Sequence, residues 1–284
     1  MPIEIRNISD TARWVAHYRG LESARPDALF SDPLAAKVAG ARGAEMARSM
    51  PSMPQFAWAM AVRTRLIDDL IMTKVRQDGI QFVLNLAAGF DTRPYRLDLP
   101  ARFQWIEADL PPLIAEKNEL LKDEKPRCLL ERLAVDLSDP TARQRLLAGI
   151  GQERGPGLVL TEGLLIYLDP EQVAALGRDL AATPNIRWWL SDLIAPKLLK
   201  MMEKSTGKAL ARAGAPFKFA HADPAGFFAP LGWQLCEFNG MFEAGHRLGR
   251  DVRMAWLWRF MMKFMSEQKR QESLRMSGIV VFEK

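Results

Sequence analysis

From Gln81 onward the chain alternates short apolar runs with helical stretches, and this rhythm constrains its fold more than any other feature. Five runs read as strands: Gln81 to Ala87 (QFVLNLA), Phe103 to Ala108, Leu129 to Val135, Leu158 to Thr161 and Ile186 to Leu193. Helical segments lie between them near 111–123, 140–149 and 170–182. A parallel strand pair needs a crossover connection, and a helix of this length supplies one with right-handed βαβ geometry. The expected architecture is therefore α/β, a doubly wound sheet with helices on both faces. Further on, Phe227 to Leu231 reads as a short helix, Gly232 to Phe238 as a sixth strand and Gly278 to Phe282 as a seventh. Residues 196–213 read as a helical insertion after the fifth strand.

The first 78 residues lack this rhythm and read as helices. Ser9 to Leu21 has helical spacing, with Ser9 or Asp10 as its cap. Asp32-Pro33 opens a second helix with proline in its first turn. Pro51 and Pro54 interrupt the pattern, and a longer helix runs from Phe56 to Val75 until Asp78-Gly79 ends it. No linker rich in Gly, Ser or Pro separates the parts. The expectation is one domain over 1–284, with a helical cap (1–78) on a Rossmann-like core (79–284).

Composition narrows the function classes. Hydrophobic residues make up 48% and charged residues 26%, which supports a packed core and argues against disorder. The net charge of +5 permits an acidic partner, but its 39 basic and 34 acidic residues read as interspersed, without a basic stripe. A small-molecule acceptor is expected, and no nucleic acid. Two distant cysteines, Cys128 and Cys236, suit a reducing compartment, and neither a disulfide framework nor a metal site is expected. No secretory h-region follows Met1 and no apolar stretch reaches membrane-spanning length, so a cytoplasmic location is expected.

In doubly wound sheets the ligand sits beyond the carboxyl ends of the strands, where strand order reverses. The first strand is followed by Leu86 to Arg93 (LAAGFDTR), whose small residues permit close backbone approach to a ligand or simply a tight turn. It lacks the three-glycine dinucleotide fingerprint, which disfavours a dehydrogenase. The second strand delivers Glu107 and Asp109, carboxylates suited to ribose hydroxyls, or solvated acids at a strand end. After the third come Asp136, able to accept from an adenine amino group, and Leu137, able to pack on the ring; helix capping by Asp136, Ser138 or Asp139 competes. After the fourth comes Glu162-Gly163, where the carboxylate could meet the cationic amino-acid end of a cofactor or pair with a buried arginine. Each is modest alone. Together they follow four successive strands in the order an adenosyl cofactor needs.

These residues resemble the leucine carboxyl methyltransferase family, in particular its bacterial S-adenosylmethionine-dependent members. The resemblance rests on Val83 to Leu97 (VLNLAAGFDTRPYRL), Glu107 to Lys117 (EADLPPLIAEK), Val135 to Asp139 (VDLSD) and Thr161 to Leu168 (TEGLLIYL). Asp27 to Ala35 (DALFSDPLA) and Val62 to Leu66 (VRTRL) also match. It implies a class I methyltransferase fold of seven strands, the last antiparallel, binding S-adenosyl-L-methionine and releasing S-adenosyl-L-homocysteine. By position it implies that Arg63 holds the methionine carboxylate, Ala87 to Gly89 pass beneath the cofactor, and Asp109 with Glu107 binds the ribose. Asp136 and Leu137 would contact adenine, Glu162 would sit near the amino-acid end, and Arg19 would help close the site. One position departs: the family usually has glycine where this chain has Ala87.

Methyl transfer to an oxygen, carboxylate or hydroxyl, is the expected reaction. A carboxylate is already ionised near neutral pH, whereas a hydroxyl usually needs a base. His17, His221, His246 and Tyr167 are the candidates, and none is assigned that role. A cofactor-binding protein of the same fold without turnover is the alternative suggested by Ala87, with a nucleic-acid methyltransferase behind it. The stretch Met254 to Met265 (MAWLWRFMMKFM) reads as a buried helix covering the sheet, with an apolar pocket wall or a membrane-facing helix as alternatives.

Overall fold

The computed structural model of the protein describes residues 8–49, 57–150, 154–204, 216–252 and 254–284. Its seven strands are β1 (Phe82–Leu86), β2 (Gln104–Asp109), β3 (Leu129–Ala134), β4 (Gly157–Thr161), β5 (Ile186–Ile194), β6 (Gln234–Gly240) and β7 (Ser277–Glu283). They form one sheet in the order β3-β2-β1-β4-β5-β7-β6. The first five pair in parallel, and β7 runs antiparallel to both β5 and β6. Strand order reverses between β1 and β4, so the crevice predicted from the sequence opens there. β1 and β4 are buried along their whole length, as central strands rich in apolar residues require, whereas β3 at the edge is partly exposed.

Alternation along the strands divides the core into two layers. Phe82, Leu84 and Leu86 pack against α6 (Pro140–Ile150) and α7 (Pro170–Ala182) through Leu146, Leu147, Val173 and Leu176. Val83 and Trp105 face α3 (Ala57–Gln77) through Val62, Leu66, Ile67 and Ile71. On that same side, α1 (Ile8–Ser23) and α2 (Ala35–Ser49) bury Ala16, Val38 and Ala39 against Phe90 and Leu113, the latter from α5 (Pro111–Leu120). The N-terminal helices thus roof the turn after β1. No helix among the described residues is long and apolar enough to cross a membrane.

Several local readings change. Asp10 lies in the first turn of α1, and its carboxylate pairs with Arg42 at 2.8 Å. Gly79, at φ 64°, takes the left-handed conformation that stops α3. Pro51, Pro54 and Phe56 lie outside the described residues, as does most of the predicted insertion beyond α8 (Pro196–Met202). The short helix near 227–231 starts earlier, as α9 (Pro224–Phe228) capped by Asp223, and a 3-10 turn follows it over Ala229–Leu231. Three short helices escaped the reading: α4 (Arg93–Arg96), α10 (Met241–Arg247) and α12 (Glu267–Leu274). The aromatic stretch forms α11 (Ala255–Met262) and is not buried, because Trp256, Phe260 and Phe264 are all more than half exposed.

Candidate functional site

The turn after β1 is built on two left-handed residues, Ala87 at φ 54° and Gly89 at φ 49°. The amide of Ala87 continues the β1–β2 ladder by donating to the Ala108 carbonyl at 2.8 Å. The backbone then turns sharply, and the Gly89 amide donates to Asp109 Oδ2 at 2.7 Å. The Leu110 amide donates to Asp109 Oδ1 at 2.7 Å. Both oxygens of Asp109 are thereby fixed at the strand end, each with a lone pair left over. Burial pushes the Asp109 carboxyl above its ordinary range, and the two amide donors offset this only in part. A left-handed backbone favours glycine, which gives a physical reason for the family's preference at position 87.

Beside this turn lies a buried ionic network. Arg93 Nε pairs with Asp68 of α3 at 2.7 Å, while its Nη1 reaches both Asp91 and Glu162 at 2.7 Å. The other oxygen of Glu162 meets Arg63 Nε at 2.9 Å, and Arg63 Nη1 reaches Asp192 of β5 at 3.0 Å. Arg96 also binds Asp68, at 2.6 Å. Asn85 Nδ2 donates to Asp91, and the Gly163 amide donates to Asp192. Burial alone would raise the Glu162 carboxyl, but the Arg93 and Arg63 guanidiniums outweigh it and hold it below the ordinary carboxylate range. Asp91 is likewise held low, by Arg93 above all, against the opposing effect of burial. Three guanidiniums thus face four carboxylates, Asp68, Asp91, Glu162 and Asp192, leaving one negative charge in excess.

One cavity of about 1280 Å³ opens over this network. Its lining includes Arg63, Ala87, Gly89, Asp109, Asp136, Leu137 and Glu162, together with Arg19. Arg19 is buried, donates to Asp32 at 2.9 Å and also to the Phe90 carbonyl, so it braces α1 over the turn. Asp136 is exposed, and its Oδ1 accepts from the Ser138 amide at 2.9 Å and hydroxyl at 2.7 Å. It both shapes the local turn before α6 and lies at the cavity wall. Those two bonds lower its carboxyl.

Glu107 is the exception. It is fully buried within β2, between Asn85 and Arg132 on the neighbouring strands, and is not part of the cavity wall. Its Oε2 takes Lys117 Nζ of α5 at 2.8 Å and Arg132 Nε at 2.9 Å. A position two residues before the strand end is still under the helical layer, and the carboxylate is spent there on holding α5 and β3 to the sheet.

The reading missed Asp192, Arg93, Asp91, Asp68 and Asn85. Asp192 lies inside β5, two residues before its end, so a search for acids just after each run passed over it. Asp91 and Arg93 stood in the quoted stretch after β1 without a role. Of the candidate bases, Tyr167 lines the cavity, its ring against Phe217 at 5.8 Å, and burial pushes its phenol up to about 12. Among the described residues no histidine lines the cavity. The remaining wall is largely apolar, with Trp14, Trp58, Met60, Met201 and Phe242 prominent.

Comparison with known proteins agrees with this fold. Residues 12–181 match the family described as leucine carboxyl methyltransferase. A protein of Frankia alni is 29% identical across 84% of this chain and 86% of its own. One of Streptomyces coelicolor is 32% identical across 79% of this chain and 82% of its own. Both are named "Putative S-adenosyl-L-methionine-dependent methyltransferase". The crystal structure of a duf574 family protein from Streptomyces avermitilis shares the fold, with a TM-score of 0.63 at 13% identity, covering 96% of this chain and 97% of that one.

Proposed function

The chain belongs to the leucine carboxyl methyltransferase family, and from that premise we propose that it methylates an oxygen of a small-molecule acceptor, using S-adenosyl-L-methionine. The observation that carries this reading is the shared cavity, in which the residues after β1, β2, β3 and β4 meet an arginine of the helical cap. Its volume exceeds the roughly 300–1,000 Å³ of an ordinary single-ligand pocket, leaving room for a cofactor and an acceptor side by side.

The residues fit that cofactor. Asp109 is rigid and retains lone pairs for ribose hydroxyls. Asp136 and Leu137 offer an acceptor and an apolar face to adenine. Arg63 suits a carboxylate, while Glu162 and Asp192, which already hold it, suit an ammonium group. The single excess negative charge beneath the cavity favours a cationic sulfonium ligand over its neutral thioether product. When bound, the cofactor supplies a methyl group already activated for in-line displacement. The chain's own task is to align the acceptor oxygen and exclude water.

Among acceptors, a carboxylate is favoured over a hydroxyl. It needs no proton removed, and the cavity offers no histidine among the described residues and a phenol, Tyr167, held at about 12. The test is a broad acceptor panel with methyl-labelled cofactor, followed by mild alkali. Methyl esters release the label as volatile methanol, whereas ethers keep it. Alongside, Arg63→Ala and Asp109→Ala should each weaken S-adenosylhomocysteine binding at least tenfold, about 1.4 kcal/mol. Alkali-stable product overturns the carboxylate assignment, and wild-type titrations in both variants overturn the cofactor site.

A further inference from the structure

Among the described residues, one strongly apolar face is left uncovered, on α11 and the turn after it. Ala255 and Met262 are its buried positions, and the opposite side carries Trp256 (65% exposed), Phe260 (55%) and Phe264 (77%). These three stand four residues apart, and the Phe260 and Phe264 rings stack edge to face at 5.2 Å. Trp256, Phe260 and Phe264 therefore point into solvent, the reverse of what a helix covering a sheet requires.

The same region is strongly basic. Residues 246–275 hold eight basic and three acidic side chains, a net +5. That equals the excess of the whole chain, so the remaining residues balance. Some of the cations have partners: Arg250 is buried on Glu22, Arg259 pairs with Asp251 and Arg270 with Glu267. Lys263, in the turn after α11, and Lys269, on α12, are exposed.

The face also adjoins the cavity mouth. A groove of about 450 Å³ runs beneath α11 and α12, lined by Ala255, Met262 and Leu274 and by Trp58, Phe242 and Val252. The last three also line the large cavity.

We infer that this face docks the protein on an anionic lipid bilayer, with the aromatic stripe in the headgroup boundary and the cavity mouth turned toward the lipid. Exposed Trp and Phe beside lysines are the chemistry of an interfacial helix, and a local +5 is complementary to an anionic leaflet. A second copy of the chain would instead bring +5 against +5. Resting on the proposed function, the acceptor would be an amphiphile with an apolar body and a carboxylate, passing from the bilayer into the apolar part of the cavity.

The test is sedimentation of the full-length protein with phosphatidylcholine vesicles, with and without phosphatidylglycerol. The protein should pellet with the anionic vesicles, bind neutral ones at least tenfold more weakly, and lose affinity as salt rises. The variant W256S/F260S/F264S and, separately, K263E/K269E should each bind anionic vesicles at least tenfold more weakly. Both should titrate S-adenosylhomocysteine within twofold of wild type, which also reports that they fold. Absence of wild-type binding to anionic vesicles overturns the inference. So do unchanged affinities in both variants, or a dimer dissolved by the serine substitutions in a protein that ignores vesicles. A wild-type protein that binds vesicles but not S-adenosylhomocysteine would instead refute the cofactor reading and leave the docking face standing.

Discussion

Ala87→Gly should make this protein more stable, although it deletes a partly buried methyl group. Ala87 holds φ at 54°, a left-handed conformation that costs an L-residue with a Cβ roughly 1–2 kcal/mol. Glycine removes that cost but gives the unfolded chain more freedom, worth roughly 0.5–1 kcal/mol against folding. The balance is a gain of about 0.5–1 kcal/mol, which raises the melting temperature by about 1–3 °C in a chain of this size. Ala88 is an internal control, since it is 7% exposed and lies outside the left-handed region. Ala88→Gly should destabilise by about 1 kcal/mol, because it gains flexibility and relieves nothing. Guanidinium unfolding of both variants, with the denaturant slope unchanged, measures the pair. If Ala87→Gly loses stability while Ala88→Gly behaves as expected, the turn does not hold position 87 left-handed, and the explanation for the family's glycine fails with it.

Three further outcomes follow from the buried charges. Arg93→Met strips the shared partner from Asp68, Asp91 and Glu162 and should cost about 3–5 kcal/mol, read as a lowered unfolding midpoint. Glu107→Gln leaves Lys117 buried without its carboxylate and should cost about 3 kcal/mol, while S-adenosylhomocysteine titrates within about twofold, since Glu107 is off the cavity wall; a tenfold loss of affinity would return Glu107 to the site. Glu162 and Asp91 have carboxyls held below their unfolded values, so the stability they contribute is fully present above the ordinary carboxylate range and is lost as pH falls through the depressed values. Stability measured against pH should drop on the acid side, less steeply in Glu162→Gln, and an unchanged acid limb in that variant would contradict the network.

The sheet was legible because its signal is redundant. The central strands are mostly apolar, and separate helical stretches divide β2, β3, β4 and β5, so seven strands were found within a residue or two. The late helices were not, and the reason is physical. α4 spans four residues, too few for any periodicity, and α12 (EQKRQESL) has almost no apolar face to reveal it. The exposure of α11 contradicts the rule that apolar residues go inside, a rule that fails where a surface has another task. At the site, strand-end acids were readable because the fold puts them there. Whether a given acid faces the cavity or the helical layer depends on where the strand stops. Glu107 and Asp109 have the same parity, but only Asp109 comes late enough to turn with the chain.

What the linear reading could not supply is the pairing of these groups. Arg63 read as a cation awaiting a carboxylate, and Glu162 as an acid awaiting either an ammonium group or a buried arginine that the sequence does not name. In the folded chain each is the other's partner at 2.9 Å, and Asp192 and Arg93 extend the chain of charges in both directions. That arrangement solves a problem of burial, because an unpaired ion in this position would cost several kcal/mol. It also prepares the cavity for a zwitterion, whose two charges can join an alternating network without leaving any member unpaired. The network spans α3 of the cap through Asp68 and Arg63, the β1 turn through Asp91 and Arg93, and the ends of β4 and β5. The cap helix is therefore bound to the sheet by the same ion pairs that border the cavity, and a ligand that strengthens those pairs must also strengthen the attachment of the cap.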